Sequence, residues 1–125
     1  MIPPIYRVAK QSPQVLALLG SPEPRLHPWG WNDEDDEPPV YPYATFQIVG
    51  GAPENVLACR PDVDRVTIQV DVWAKTAASA RAVADALRDA IELNCYITAW
   101  RGESRDPETK SYRVSFDCDW IVERA

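Results

Sequence analysis

The sequence predicts an α+β fold: a four-stranded antiparallel sheet, order 1-2-4-3, with two helices on one face. Three observations lead there. "DRVTIQVDVWA" (residues 64–74) alternates, with Val66, Ile68, Val70 and Val72 on one side and Thr67, Gln69 and Asp71 on the other. "YRVSFDCDWIV" (residues 112–122) alternates too, Tyr112, Val114, Phe116, Cys118 and Trp120 against Arg113, Ser115, Asp117 and Asp119. Between them Ala80, Val83, Ala84, Leu87 and Ile91 recur at i, i+3, i+4, i+7 and i+11, which is one apolar stripe on a helix.

Each element follows in chain order. In "SPQVLALLGS", Ser12 is an N-cap, Pro13 stands at the first helical position, and Gly20 ends the helix. Val15, Leu16, Leu18 and Leu19 give that helix a broad apolar face, and "PPIYRV" can add a turn before it. Residues 21–42 hold six of the 12 prolines. Proline fixes φ and removes a donor, so this stretch predicts a long surface loop without a strand. "YATFQIVGG" is the first strand, closed by Gly50 and Gly51, and "APENVLACRPDVD" connects it to the second at 64–74. Thr76 or Ser79 caps the following helix, which runs to about Glu92. "NCYITAW" is the third strand, "RGESRDPETKS" a polar turn, and residues 112–122 the fourth strand. A β-α-β crossover brings the third strand back parallel to the second. The fourth, returning by a hairpin, then inserts between them as in a split β-α-β unit. The longest alternating strands fall in the centre, and the opposite face shows Gln69, Asp71, Asp117 and Asp119.

Bulk properties bound the function. A chain of 125 residues with 46% hydrophobic content predicts one globular domain over 1–125, long enough for one core. The net charge of −6 is uneven: Asp33, Glu34, Asp35, Asp36 and Glu37 form one run. The acidic count of 19 less those five leaves 14 against 13 basic residues. A nearly neutral body with one acidic loop is a poor electrostatic footprint for gripping nucleic acid. Cys59, Cys95 and Cys118 are odd in number and widely spaced, which argues for reduced thiols made in a cytoplasm. The start has no basic segment followed by a long apolar one, and no apolar run approaches the ~20 residues that span a bilayer.

Candidate chemistry is sparse. "NDEDDE" lacks the alternating spacing and distal glutamate of a calcium loop, so no metal is assigned to it. His27 is solitary, and no phosphate-cradling or nucleophile-elbow motif is present. Asp71, Asp117 and Asp119 are the enzyme candidate. On neighbouring strands they could converge, hold two Mg²⁺ ions and hydrolyse a phosphodiester. Against that stand a solvated sheet face balanced in part by Arg113, and an interface or channel lining. Trp73 ends its strand on the polar side. Trp29 and Trp31 are unusual in a loop: buried they would pin it, exposed they would mark a partner site.

Taken in order, "DRVTIQVDVWAKTAASARAVADALRDAI" and "RDPETKSYRVSFDCDWIV" resemble the small tail-completion, or tail-terminator, proteins of long-tailed bacteriophages and prophages. The pattern is R-x-x-(I/V)-Q-(I/V)-D-V-W-A, an alanine-rich helix, and a late D-P-E-T-x-x-Y-R strand. The opening helix with "VLALLG", the proline-rich approach to "YPYATFQIVGG" and the "DVDR" before the second strand also fit. The likeness covers nearly the whole chain, although "WGWNDEDDEPP" is longer and more acidic than the family pattern.

The resemblance implies a non-enzymatic structural protein of the virion, without a cofactor, assembled in the bacterial host cytoplasm. It implies a ring, usually a hexamer, that caps the tail tube at its head-proximal end, stops polymerisation and offers the docking surface for head–tail joining. The implied partners are further copies of itself, the tail tube protein and a head-completion or neck protein. DNA passes through without specific binding, and no membrane is involved. The face carrying Gln69, Asp71, Trp73, Arg113, Asp117 and Asp119 then lines the channel or meets the next subunit. The loop with Trp29, Trp31, Asp33, Glu34, Asp35, Asp36 and Glu37 is the candidate partner-docking segment. A head-completion adaptor of the same particle and a Mg²⁺-dependent phosphodiesterase are the alternatives.

Overall fold

The computed structural model describes residues 2–29, 39–55 and 57–124. Among the described residues three helices and five strands follow one another as α1 (Ile5–Lys10), α2 (Pro13–Leu19), β1 (Leu26–Pro28), β2 (Tyr43–Pro53), β3 (Val63–Ala74), α3 (Ala77–Ile91), β4 (Tyr96–Arg105) and β5 (Tyr112–Glu123). The strands form one sheet in the order β1-β2-β3-β5-β4.

This overturns the four-stranded, wholly antiparallel sheet with two helices expected from the sequence. The sheet has five strands and is mixed, because β1 pairs parallel with β2, Leu26 opposite Ala44 and Pro28 opposite Phe46. The new strand lies inside the proline-rich stretch. It tolerates proline because it is an edge of three residues, with Pro28 at its end. Backbone bonds from Ala44 N to Arg25 O and from Trp29 N to Phe46 O, both 2.9 Å, bracket it. The third helix arises where "PPIYRV" was read as an optional extra turn. It closes at Gln11, one residue before Ser12 caps α2 by accepting from Val15 N at 3.3 Å.

The other four strands pair antiparallel, β2 with β3, β3 with β5, and β5 with β4. Strand β4 is longer than the sequence suggests. It continues through Arg105, so the turn shrinks to residues 106–111, where Asp106 Oδ1 accepts from Glu108 N at 2.9 Å. As an edge strand it carries no clean alternation, and two irregularities, between Ile97 and Ala99 and between Trp100 and Gly102, break the residue parity.

Helix α3 packs on β3 and β5, and α1 and α2 pack on α3. Thr76 caps α3 by accepting from Ser79 N at 3.1 Å. The core gathers Ile68, Val70 and Val72 of β3, Phe116 and Cys118 of β5, Val83, Leu87 and Ile91 of α3, and Ile5 and Leu19 of the first two helices. Burying each such side chain contributes about 1.5–3 kcal/mol, which is why one face of the sheet is committed to the helices. Among the described residues no helix is long and apolar enough to cross a membrane.

Candidate functional site: the polar face of the sheet

The face opposite the helices carries Tyr43 and Thr45 from β2, Thr67, Gln69, Asp71 and Trp73 from β3, and Arg113, Ser115, Asp117 and Asp119 from β5. Strand pairing sets them in rows: Thr67 opposite Asp119, Gln69 opposite Asp117, Asp71 opposite Ser115, Trp73 opposite Arg113. The sequence candidates Gln69, Asp71, Trp73, Arg113, Asp117 and Asp119 therefore share one surface.

Their chemistry differs from an open acidic patch. Each carboxylate has its own donor. Arg113 grips Asp71 Oδ1 through Nη2 at 2.7 Å and Nε at 3.0 Å. Arg101 grips Asp117 Oδ2 through Nη2 at 2.6 Å and Nε at 2.9 Å. Thr67 donates its hydroxyl to Asp119 Oδ1 at 2.6 Å. The Gln69 amide bridges Asp71 and Ser115 at 3.3–3.4 Å. Although no helix among the described residues covers this face, Asp117 is 4% exposed, and Asp71, Thr45 and Ser115 are buried as well. The long arginine side chains lie over the carboxylates and shield them. Asp117 Oδ1 is buried without a hydrogen-bond partner among the described residues.

At one end of the face the polar rows give way to aromatic rings. Trp73 stacks on Tyr43, centroids 6.4 Å apart and planes 17° from parallel, and the Arg113 guanidinium lies 5.4 Å from the Trp73 ring. Arg113 thus joins a carboxylate to an aromatic face. Burial pushes the Tyr43 phenol up to about 12, with Tyr41 and Asp106 adding to the shift. At the far end of β3, Arg124 grips Asp64 at 2.7 and 2.9 Å and holds its carboxyl below its ordinary value.

A two-metal phosphodiesterase needs its carboxylates turned toward a common ion. Here the three aspartates are turned to three different donors, and no group of three or more metal-ligating side chains occurs among the described residues. Arg101 was missed in the sequence because it was assigned to the polar turn. The extension of β4, with its two irregularities, delivers it to this face. Of the candidate docking loop, Trp29 is described and 86% exposed. Trp31, Asp33, Glu34, Asp35, Asp36 and Glu37 lie outside the described residues.

One face of the sheet is clothed by helices and the other carries paired charges, an arrangement of surfaces with no grouped metal-ligating side chains among the described residues. The chain belongs to the tail completion protein gp17 family, whose model matches residues 3–123. The resemblance read from the sequence is thereby borne out, and the protein is a structural virion protein of the bacteriophage tail-completion class. No curated protein sequence matches significantly. Among solved structures the fold is similar to a chain of the virion of a native gene transfer agent particle, with a TM-score of 0.74, 14% identity, and coverage of 95% of this chain and 91% of that one.

Proposed function

We infer that copies of this chain form a closed ring of six at the head-proximal end of the tail tube. The ring ends tube polymerisation and offers the surface on which the neck of the head docks. The observation that carries this reading is family membership across residues 3–123. A virion protein with the same fold, from a gene transfer agent particle, supports it. The partners are other copies of the chain, the tail tube protein and a head-completion or neck protein, and the role needs no cofactor.

The polar face suits contact with passing DNA. A polyanion sticks to a surface by displacing counterions from unpaired cations. Arg101 and Arg113 are each already engaged by a carboxylate, so phosphate would have to compete with Asp117 and Asp71. The face is wetted and charged without being sticky.

The test is deletion of the gene from the phage or prophage that encodes it. The expected result is tails of uncontrolled length that fail to join heads, with both defects restored by supplying the protein. Normal tail length and full joining would overturn the reading. Normal-length tails that do not join would assign the chain to the neck adaptor role instead. A second arm neutralises Asp33, Glu34, Asp35, Asp36 and Glu37 together. If these residues dock the neck, joining falls while tail length and melting temperature stay normal; full infectivity with normal melting would remove them from the docking surface.

A further inference from the structure

Open sheet edges are hazards that folded proteins guard with charges, prolines and bulges. The two edges of this sheet are guarded very differently. Strand β2 has no charged residue anywhere between Tyr43 and Pro53. Strand β1 covers its outer edge at residues 44–46, and no described strand covers it beyond Phe46. Residues 47–53 are exposed, Ile48 and Val49 among them. On the opposite edge, β4 reads Tyr96, Ile97, Thr98, Ala99 and Trp100 before its first charge at Arg101. One chain therefore presents two uncharged stretches, of seven and five residues, at opposite edges of one sheet.

The edges also fit each other in direction and in side-chain chemistry. Three successive antiparallel pairings make β2 and β4 run in opposite directions. A neighbour placed side by side in the same orientation would therefore meet this edge as an antiparallel partner. Beside the β2 edge, on the helix side, Ile2, Pro28, Trp29, Phe46 and Ile48 line an apolar pocket of about 280 Å³. On the same side of the sheet at the β4 edge stands Trp100, 52% exposed, its ring 5.2 Å from Phe116. An exposed indole at one edge and an apolar pocket at the other, both on the helix side, form a complementary pair across a head-to-tail contact.

Resting on the ring reading above, we propose that the occupant of the β2 edge is a second copy of this chain. The uncharged part of its β4 pairs with residues 47–53, and its Trp100 enters the pocket formed by Ile2, Pro28, Trp29, Phe46 and Ile48. Such a contact is heterologous, and repeated by rotation it closes a ring whose sheets are continuous. It also decides which face looks inward. At the junction each copy contributes four strands, so six copies give 24 strands about 4.8 Å apart, a circumference of about 115 Å and a diameter of about 37 Å. A helix layer on the inside, about 10–12 Å thick on each wall, would leave a bore little wider than one helix. The helices therefore face out, and the rows of Gln69, Asp71, Arg113 and Asp117 line the bore.

The test is cysteine crosslinking across the edges. Gln47 and Ala99 stand opposite Gln69 and Asp117, on the polar side of the sheet, and Gln47 also borders the pocket. Gln47→Cys and Ala99→Cys are made singly and together in a Cys59→Ser background, since Cys59 is exposed whereas Cys95 and Cys118 are buried. Purified protein at high concentration and isolated tails are treated with a short bismaleimide. The double variant should give a ladder ending at the closed ring, and each single variant should lose it. Ile48→Lys, which guards the edge, should abolish the ladder in the double variant while leaving the monomer's melting curve in place. Rings seen on tails by electron microscopy without a ladder would overturn the edge contact and leave the ring reading standing. A ladder from Gln47→Cys alone, or a crosslink to a different tail polypeptide, would overturn the choice of occupant. Tails with no ring of this chain would remove both readings together.

Discussion

Two adjacent glycines in β2 should respond in opposite ways to the same substitution. Gly51 sits at φ 153°, and a Cβ built there would lie 2.3 Å from the Arg65 carbonyl oxygen and 3.2 Å from Val66 Cα. Real Cβ contacts stay at or beyond 3.0 Å, so the backbones must part by about 0.7 Å. The pairs that must open are Gly51 with Val66 and Ala52 with Arg65, which hold the distal half of β2 onto β3. Local backbone strain of this kind costs about 1–3 kcal/mol. With an unfolding entropy of about 2.1 cal/mol/K per residue, a chain of this length changes by about 0.26 kcal/mol per degree. Gly51→Ala should therefore lower the melting temperature by about 4–11 °C. At Gly50 an added Cβ meets nothing within 4 Å. Gly50→Ala should be neutral or stabilise by up to about 1 kcal/mol, by restricting the unfolded chain. Thermal and urea melts followed by circular dichroism measure both. Equal effects at the two positions, or a larger loss at Gly50, would refute the close approach of β2 to β3 as the reason for glycine at Gly51. If the distal half of β2 is the subunit edge, Gly51→Ala should also lower the fraction of tails that carry a ring.

The remaining predictions concern paired charges and a cap. Asp71→Ala strands Arg113, which is itself about one-third exposed, and should cost about 1–2 kcal/mol by urea titration; a change below about 0.3 kcal/mol would mean the pair is ornamental. Arg124 holds Asp64 below its ordinary value of 3.8, so its stabilising effect is full above that pH and fades as pH falls through the lower folded value. Wild type and Asp64→Asn should accordingly differ at neutral pH and converge in acid, and a gap independent of pH would contradict the assignment. Thr76→Ala removes the α3 cap and should cost about 1 kcal/mol, whereas Thr76→Ser should restore most of it; equal losses in both variants would discount the hydroxyl.

What the sequence determined by itself is whatever its local period encodes. Val66, Ile68, Val70 and Val72 announce β3, Val114, Phe116, Cys118 and Trp120 announce β5, and Ala80, Val83, Leu87 and Ile91 announce α3, because each repeat must match one buried face. The cap at Ser12 is legible for the same reason, since it satisfies a backbone donor a few residues away, and the α3 cap is narrowed to Thr76 or Ser79, between which the structure selects Thr76. The family likeness rests on those same stretches. Tertiary structure decided the rest. Strand β1 is three residues long and carries no period; it exists because β2 offers it an open edge. Strand β4 faces solvent along its outer edge, so no burial pattern marks where it ends, and its two irregularities shift which residues look to which side. That shift alone brings Arg101 onto Asp117. The polar face looked acidic in the sequence because aspartates can be counted along one strand. The pairing of its charges depends on Arg113 reaching across to Asp71 of β3 and on Arg101 arriving from β4, and a pairing between strands is fixed only when the chain has closed the sheet.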